Sequence, residues 1–198
     1  VKSFPDILIL AAGFSGRMGT HKALLQYDEN TNFIEKIIGS YYDAGAENVT
    51  IVTNPDLFYK FDAELKIKYP RIKVVENKYP ETGRFGSIKA GLKGMAGDNH
   101  FFISNCDNPF CNPELLMGML NVLEPCSYVV PVYKTSGGHP VLIAKTLKQN
   151  LLDVTAADSN LKEVLKPFKK IELLTDDATV LFNINTPDDY SSFLKKGY

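Results

Sequence analysis

The chain has 198 residues, 44% of them hydrophobic and 23% charged, with a net charge of −1 at neutral pH. Its length suits a single domain, residues 1–198, that can bury a substantial core. The balanced charge excludes the basic footprint left by binding to nucleic acid or to an anionic membrane, and no apolar run approaches the roughly 18 residues of a membrane helix. Three cysteines, Cys106, Cys111 and Cys126, are too few and odd in number for a disulfide framework. The opening residues run directly into a strand rather than into an apolar signal segment, which with free thiols predicts a cytoplasmic address.

The first predicted strand, Ile7 to Ala12, runs into Gly13-Phe14-Ser15-Gly16-Arg17-Met18-Gly19-Thr20-His21-Lys22. Glycines at 13, 16 and 19 let the backbone adopt positive φ and come close to a ligand, so that successive N–H groups can converge on an anion. Arg17 and Lys22 add two cations. The spacing fits neither the dinucleotide fingerprint nor the Walker pattern, so this phosphate loop belongs to another nucleotide-binding class. Phe33, Ile34, Ile37, Ile38 and Tyr41 then recur at helical spacing behind Thr31 and Asn32 as caps, and Gly45 ends the helix.

Val49 to Thr53 reads as a strand, Pro55 to Tyr69 as a helix and Ile72 to Val75 as a third strand. A helix from Gly86 to Lys93, a buried strand from His100 to Ser104 and a helix from Pro113 to Leu123 follow, the last opened by proline in its first turn. Further strands are expected at Tyr128 to Tyr133, Val141 to Ala144, Ile171 to Leu174 and Thr179 to Phe182. This alternation predicts a three-layer α/β/α, Rossmann-like domain with a mainly parallel but mixed sheet. Ligands of such sheets collect beyond the carboxyl ends of the strands, so the loops after the first and fourth strands are where chemistry is expected.

Asp107 follows the buried fourth strand, where a carboxylate is placed to hold Mg²⁺ together with phosphate oxygens; an Asx turn ahead of Asn112-Pro113 would use the same residue type. The Cys106-x4-Cys111 spacing finds no companion ligand set, because the three histidines are scattered at 21, 100 and 139. Ser87 stands at the start of the expected third helix, where it would serve as an N-cap or face a ligand. Asp188 and Asp189, just past Pro187, read as first-turn carboxylates favoured by a helix dipole.

The segment Leu10-Ala11-Ala12-Gly13-x-Ser15-x-Arg17-Met18-Gly19-x-x-Lys22-x-Leu24-Leu25 resembles the signature of the MobA/MocA-type nucleotidyltransferases, which complete molybdenum cofactors by adding a nucleotide to molybdopterin. Cys106-Asp107-x-Pro109-Phe110 is similar to that family's C-D-x-P segment, which implies that Asp107 binds the Mg²⁺ bridging the nucleotide phosphates. Gly83 to Leu92 resembles a stretch lying near base and ribose, and Gly138-His139-Pro140-Val141 a segment on the acceptor side.

The resemblance implies Arg17, Lys22 and Asp107 as catalytic residues, and Leu10, Ala11, Ala12, Gly13, Ser15, Gly16, Gly19, Gly83 and Ser87 as nucleotide-binding residues. It implies CTP as donor, Mo-molybdopterin as acceptor, and cofactor-insertion proteins or recipient molybdoenzymes as partners. The base assignment draws on both ends of the chain. Ala11-Ala12-Gly13 and Gly138-His139-Pro140-Val141 match the cytidylyltransferases, because guanylyltransferases usually carry Ala-Gly-Gly at the first site. Asn183-Ile184-Asn185 matches the guanylyltransferase form, where cytidylyltransferases carry Asp-Ile-Asp. GTP as donor, a sugar phosphate or other phosphomonoester as acceptor, and a non-catalytic carrier of nucleotide or molybdopterin are the alternative readings.

Overall fold

The computed structural model describes residues 3–14, 16, 18–155 and 159–196. Strand β1 (Asp6–Ala11) is buried at every position. A continuous apolar run of this kind belongs to a central parallel strand covered on both faces. Its neighbours are β2 (Val49–Thr53) and β4 (Phe101–Asn105), both parallel to it, and β3 (Ile72–Glu76) lies beyond β2, also parallel. On the other side β7 (Val141–Ile143) pairs antiparallel with β4 and with β5 (Ser127–Tyr133). The short β6 (Ser136–Gly137) folds back on β5, and β8 (Lys169–Leu174) adds a parallel strand along β5. The sheet is therefore mixed and mostly parallel, as expected.

Helices cover both faces. On one side α1 (Phe33–Asp43), α2 (Pro55–Lys68) and α4 (Pro113–Val122) pack Ile34, Ile37, Phe61 and Leu116 against Ile7, Ile9 and Ile51. On the other, α3 (Gly83–Gly94), α5 (Lys148–Asp153) and α6 (Leu161–Leu165) pack Ile88, Leu92, Leu151 and Leu165 against Leu8, Val52 and Phe101. The result is the α/β/α layering that the alternation predicts. Helix α3 comes close to the sheet at Gly91, where a Cβ would collide with Leu8 Cδ1 and Val52 Cγ2. A final helix, α7 (Pro187–Lys196), docks through Phe193.

The helix starts follow their cap residues. Asn32 accepts from Glu35 N at 3.0 Å while the Glu35 carboxylate accepts from Asn32 N at 3.1 Å, a reciprocal capping box. Asn54 and Asn112 cap α2 and α4, each followed by proline at the first helical position, where a missing N–H costs nothing. Gly45, at φ 100°, ends the first helix in the left-handed region.

Two expectations need correction. The segment Thr179 to Phe182 is not a strand; residues Ala178–Leu181 form one 3₁₀ turn. Asp177 caps that turn, accepting from Thr179 N at 2.9 Å, and the Thr179 and Val180 carbonyls accept from Asn108 Nδ2 and His139 N rather than from a neighbouring strand. Helix α3 begins at Gly83, three residues earlier than expected, which puts Ser87 inside the helix and removes its role as N-cap.

Candidate active site

Three pieces of backbone meet beyond the carboxyl ends of β1 and β4. The exit of β4 is tied to the C-terminal segment because Ile184 N donates to the Asp107 carbonyl at 2.9 Å. The 138–139 segment joins them through His139 N and the Val180 carbonyl, at 2.8 Å. Beneath this junction lies an aromatic cluster of Tyr27, Phe33, Phe110, Phe182, Tyr190 and Phe193, with ring centroids 5.2 to 6.5 Å apart in mostly tilted or edge-on contacts. Such contacts add directional packing to simple burial. The cluster holds the segment after the glycine loop, the β4 exit and α7 in fixed relation.

A cavity of about 570 Å³ opens over the junction. At its floor the Lys22 ammonium donates to Asn185 Oδ1 at 2.6 Å and lies 3.5 Å from Asp107 Oδ2. Lys22 and Asp107 are largely enclosed, with side chains 15% and 22% exposed, so their interaction is less screened than that of a surface pair. Asp107 Oδ1 is buried and has no hydrogen-bond partner among the described residues. An unspent carboxylate oxygen beside a cavity is what a hard divalent cation requires, and Mg²⁺ characteristically takes one or two carboxylates, completing its shell with phosphate and water. The described residues contain no group of three or more His, Cys, Asp or Glu side chains that could enclose a metal alone, so a cation here would share its shell with a ligand.

Of the expected nucleotide-binding residues, Leu10, Ala12, Gly13, Gly16, Gly83 and Ser87 line this cavity. The two-residue period of β1 explains why Ala11 does not. Leu10 and Ala12 share one face of the sheet with α3, whereas Ala11 is buried on the opposite face among Ile7, Ile9 and the α1 side chains. Gly19 is also outside the lining; it takes φ 68°, the left-handed turn that leads the chain toward Lys22. Gly13 and Gly16 do not need positive φ. A Cβ on either would meet nothing within 4 Å, so these two leave open space on the cavity side of the loop. Ser15 and Arg17 lie outside the described residues.

Ser87 Oγ accepts from Asn77 Nδ2 at 3.0 Å, which orients the hydroxyl from behind α3. Asn185 faces the cavity, but Asn183 turns away and donates to the Leu181 carbonyl. Asp189 is used locally: its carboxylate accepts from Asn185 N and Thr186 N, each at 2.9 Å, and these bonds hold it below the usual carboxylate range. It is thus the first-turn carboxylate its position suggests, and it also orients the backbone that presents Asn185.

The sequence reading gave no role to Arg84 and Asn105, which also line the cavity. Arg84 lies within the quoted Gly83–Leu92 stretch, and its guanidinium donates through Nε and Nη2 to Asn105 Oδ1 at 3.3 and 3.0 Å. Asn105 is the last residue of β4, and its side-chain partner belongs to a different layer, which local pattern does not reveal. His139 lines the cavity too. Burial, with the Arg84 charge adding, pushes its imidazole down to about 4, so it is neutral at pH 7. Cys106 also lines the cavity; burial first, and then Asp107, pushes its thiol up to about 12, leaving it protonated and unreactive.

The family model described as the MobA-like NTP transferase domain matches residues 7–173. A probable molybdenum cofactor guanylyltransferase of Natranaerobius thermophilus is 32% identical over 199 residues, covering 92% of this chain and 91% of that protein. A molybdenum cofactor cytidylyltransferase of Escherichia coli K12 is 23% identical over 188 residues, covering 93% of each. Among solved structures, that of Rv0371C from Mycobacterium tuberculosis H37Rv, described as a complex with manganese, superposes with a TM-score of 0.74 at 21% identity, covering 98% of this chain and 99% of that one.

Proposed function

The chain belongs to the MobA-like NTP transferase family, and on that premise we propose that it acts as one domain, residues 1–198, transferring CMP from CTP to the terminal phosphate of Mo-molybdopterin with release of pyrophosphate. The observation that carries this reading is the floor of the cleft, where Lys22 is held between Asp107 and Asn185 and one Asp107 oxygen is unspent. Two anions must be brought together there, and no described side chain needs to act as a base. A phosphomonoester loses its second proton near pH 6, so the attacking oxygen of the acceptor is already largely dianionic at neutral pH.

Catalysis by this inventory is positioning and charge stabilisation. Gly13 and Gly16 give the triphosphate room to approach the loop backbone, with Arg17 as a further cation. Lys22 meets negative charge developing on the leaving pyrophosphate, and Asn185 holds its ammonium over the floor. Asp107 would hold Mg²⁺, which when bound neutralises the phosphate oxygens and draws charge off the α-phosphorus. Ser87 and Gly83 border the base and ribose. The neutral His139 is too weak a base to compete for the nucleophile's role, and it leaves the charge at this wall to Arg84.

The choice of CTP rests on Ala12, whose methyl group stands in the cavity wall where guanylyltransferases usually have glycine. That methyl narrows the space for a base and favours a pyrimidine over a purine. GTP is the second reading, favoured by Asn185 at the cleft floor and by the 32% identity to a probable guanylyltransferase. Under either reading the product is labile, so cofactor-insertion proteins or recipient molybdoenzymes are the expected partners. A cytoplasmic location accords with a fold in which no described helix is long and apolar enough to cross a membrane.

The test is Mg²⁺-dependent pyrophosphate release from CTP, GTP, ATP and UTP in turn, with Mo-molybdopterin as acceptor, for wild type and Ala12→Gly. Release from CTP by wild type, with GTP use gained in the variant, is the expected outcome. Release from GTP alone by wild type would give base choice to the C-terminal segment. Nucleotide binding without release from any of the four would refute transfer to this acceptor, in favour of another phosphomonoester or the carrier reading.

A further inference from the structure

Lys22 and Arg84 are the two cationic side chains among the described residues that line the cavity, and they are held by different partners, Lys22 by Asp107 and Asn185 and Arg84 by Asn105. Lys22 comes directly after the glycine loop. Arg84 is close enough for its charge to act on both Asp107 and His139. A reaction between two phosphates needs a cation for each, since either one alone would be repelled by the other at the moment of attack. Building on the transfer reading, we propose that Arg84 seats the phosphate of the acceptor and that Lys22 serves the nucleotide, so that the two substrates are told apart by the cation they meet.

The geometry of the guanidinium supports this division. Nε and Nη2 both point to Asn105 Oδ1, so the plane of the fork is fixed while further N–H groups on Nη1 and Nη2 are left for an anion. A fixed planar fork suits bidentate recognition of a terminal phosphate, where a lysine would act only as a point charge. Arg84 is exposed and lines the cavity, so its free N–H groups are accessible to a second substrate. The neutral His139 beside it offers a hydrogen-bonding group, its Nδ1 buried and without a partner, and adds no charge that would hold the product.

The proposal is tested by equilibrium titration of the full chain, saturated with Mg²⁺ and the non-reacting α,β-methylene analogue of CTP, using phenyl phosphate as the phosphomonoester probe. Loss of one charge-assisted pair predicts that Arg84→Gln weakens phenyl phosphate binding by about 10- to 100-fold while the affinity for the CTP analogue stays within about twofold. Arg84→Lys recovers part of the loss, because it keeps the charge without the fork. Phenyl phosphate bound equally well by wild type and Arg84→Gln, or a loss that falls on the nucleotide analogue, would overturn the assignment while leaving the transfer reading intact. Phenyl phosphate binding that depends on Arg84 in a chain that binds no nucleotide would uphold the phosphate seat and overturn the transfer reading alone.

Discussion

Replacing Asp107 by asparagine keeps the shape of the side chain, removes one charge and exchanges one acceptor oxygen for an amide donor. At 3.5 Å from the Lys22 ammonium and an effective dielectric of about 20, that charge is worth about 5 kcal/mol of Coulomb attraction before desolvation. Both groups keep some solvent contact, so roughly half that value is the working figure for what the enclosed pair feels. The same charge acts on a divalent cation with twice the valence, and it is the carboxylate that would anchor one. At about 1.4 kcal/mol per decade, a loss of 3 to 4 kcal/mol from transition-state stabilisation corresponds to a fall of about 10² to 10³ in kcat/KM. The assay is pyrophosphate release over a Mg²⁺ titration, in which Asp107→Asn also shifts the half-saturating Mg²⁺ concentration upward. Lys22 keeps its 2.6 Å bond to Asn185, so the thermal midpoint of the unliganded variant moves by only a few degrees, the scale set by about 1 kcal/mol. Turnover within tenfold of wild type, at an unchanged Mg²⁺ requirement, would refute the assignment of Asp107 and the electrostatic reasoning behind it.

The remaining predictions concern groups whose surroundings are well defined. His139 is held down from the ordinary 6.5 to about 4, chiefly by burial, so the folded state disfavours its protonation. Its contribution to stability is complete above about pH 6.5 and is lost as pH falls toward 4, by at most about 3 kcal/mol; thermal unfolding between pH 7 and 4 should flatten in His139→Gln, and an unchanged acid slope would contradict this. Cys106 and Cys111 are both pushed up to about 12, first by burial, whereas Cys126 is exposed. Titration with an aromatic disulfide at pH 8 should therefore modify Cys126 fastest in the native chain and Cys106 and Cys111 far more slowly until denaturation; equal native rates for all three would count against the raised thiols. Asn32→Ala removes one half of the α1 capping box and should cost about 1 kcal/mol in a denaturant titration, with Asn32→Ser restoring most of it.

The apolar continuity of Ile7 to Leu10 and the Asn-Pro pairs at 54–55 and 112–113 are local signals, and each led to the right element because local sterics and burial decide it. The mixed, mainly parallel character of the sheet followed from the alternation of strand and helix, whereas the order of its strands is a feature of the tertiary structure. The positions of Lys22 and Asp107 were read from motif spacing, and both stand on the cavity floor.

Other features depended on residues far apart in the chain. Thr179 to Phe182 has the composition of a strand, yet its carbonyls are engaged by Asn108 and His139, so tertiary hydrogen bonds overrode propensity. Ala11 and Ala12 are the same residue type in adjacent positions, and only the facing of β1 in the sheet decides that one lines the cleft and the other fills the core. Asn185 is 163 positions from Lys22, and Arg84 is 21 positions from Asn105. By itself the sequence determined the layers and the helix starts, because those follow from period and caps, and the resemblance of its motifs pointed to the family that the chain matches. Which charges face one another across the cleft was decided by the tertiary structure alone, because it is the pairing of β1 with β4 and the docking of α7 that bring those side chains within reach of a single ligand.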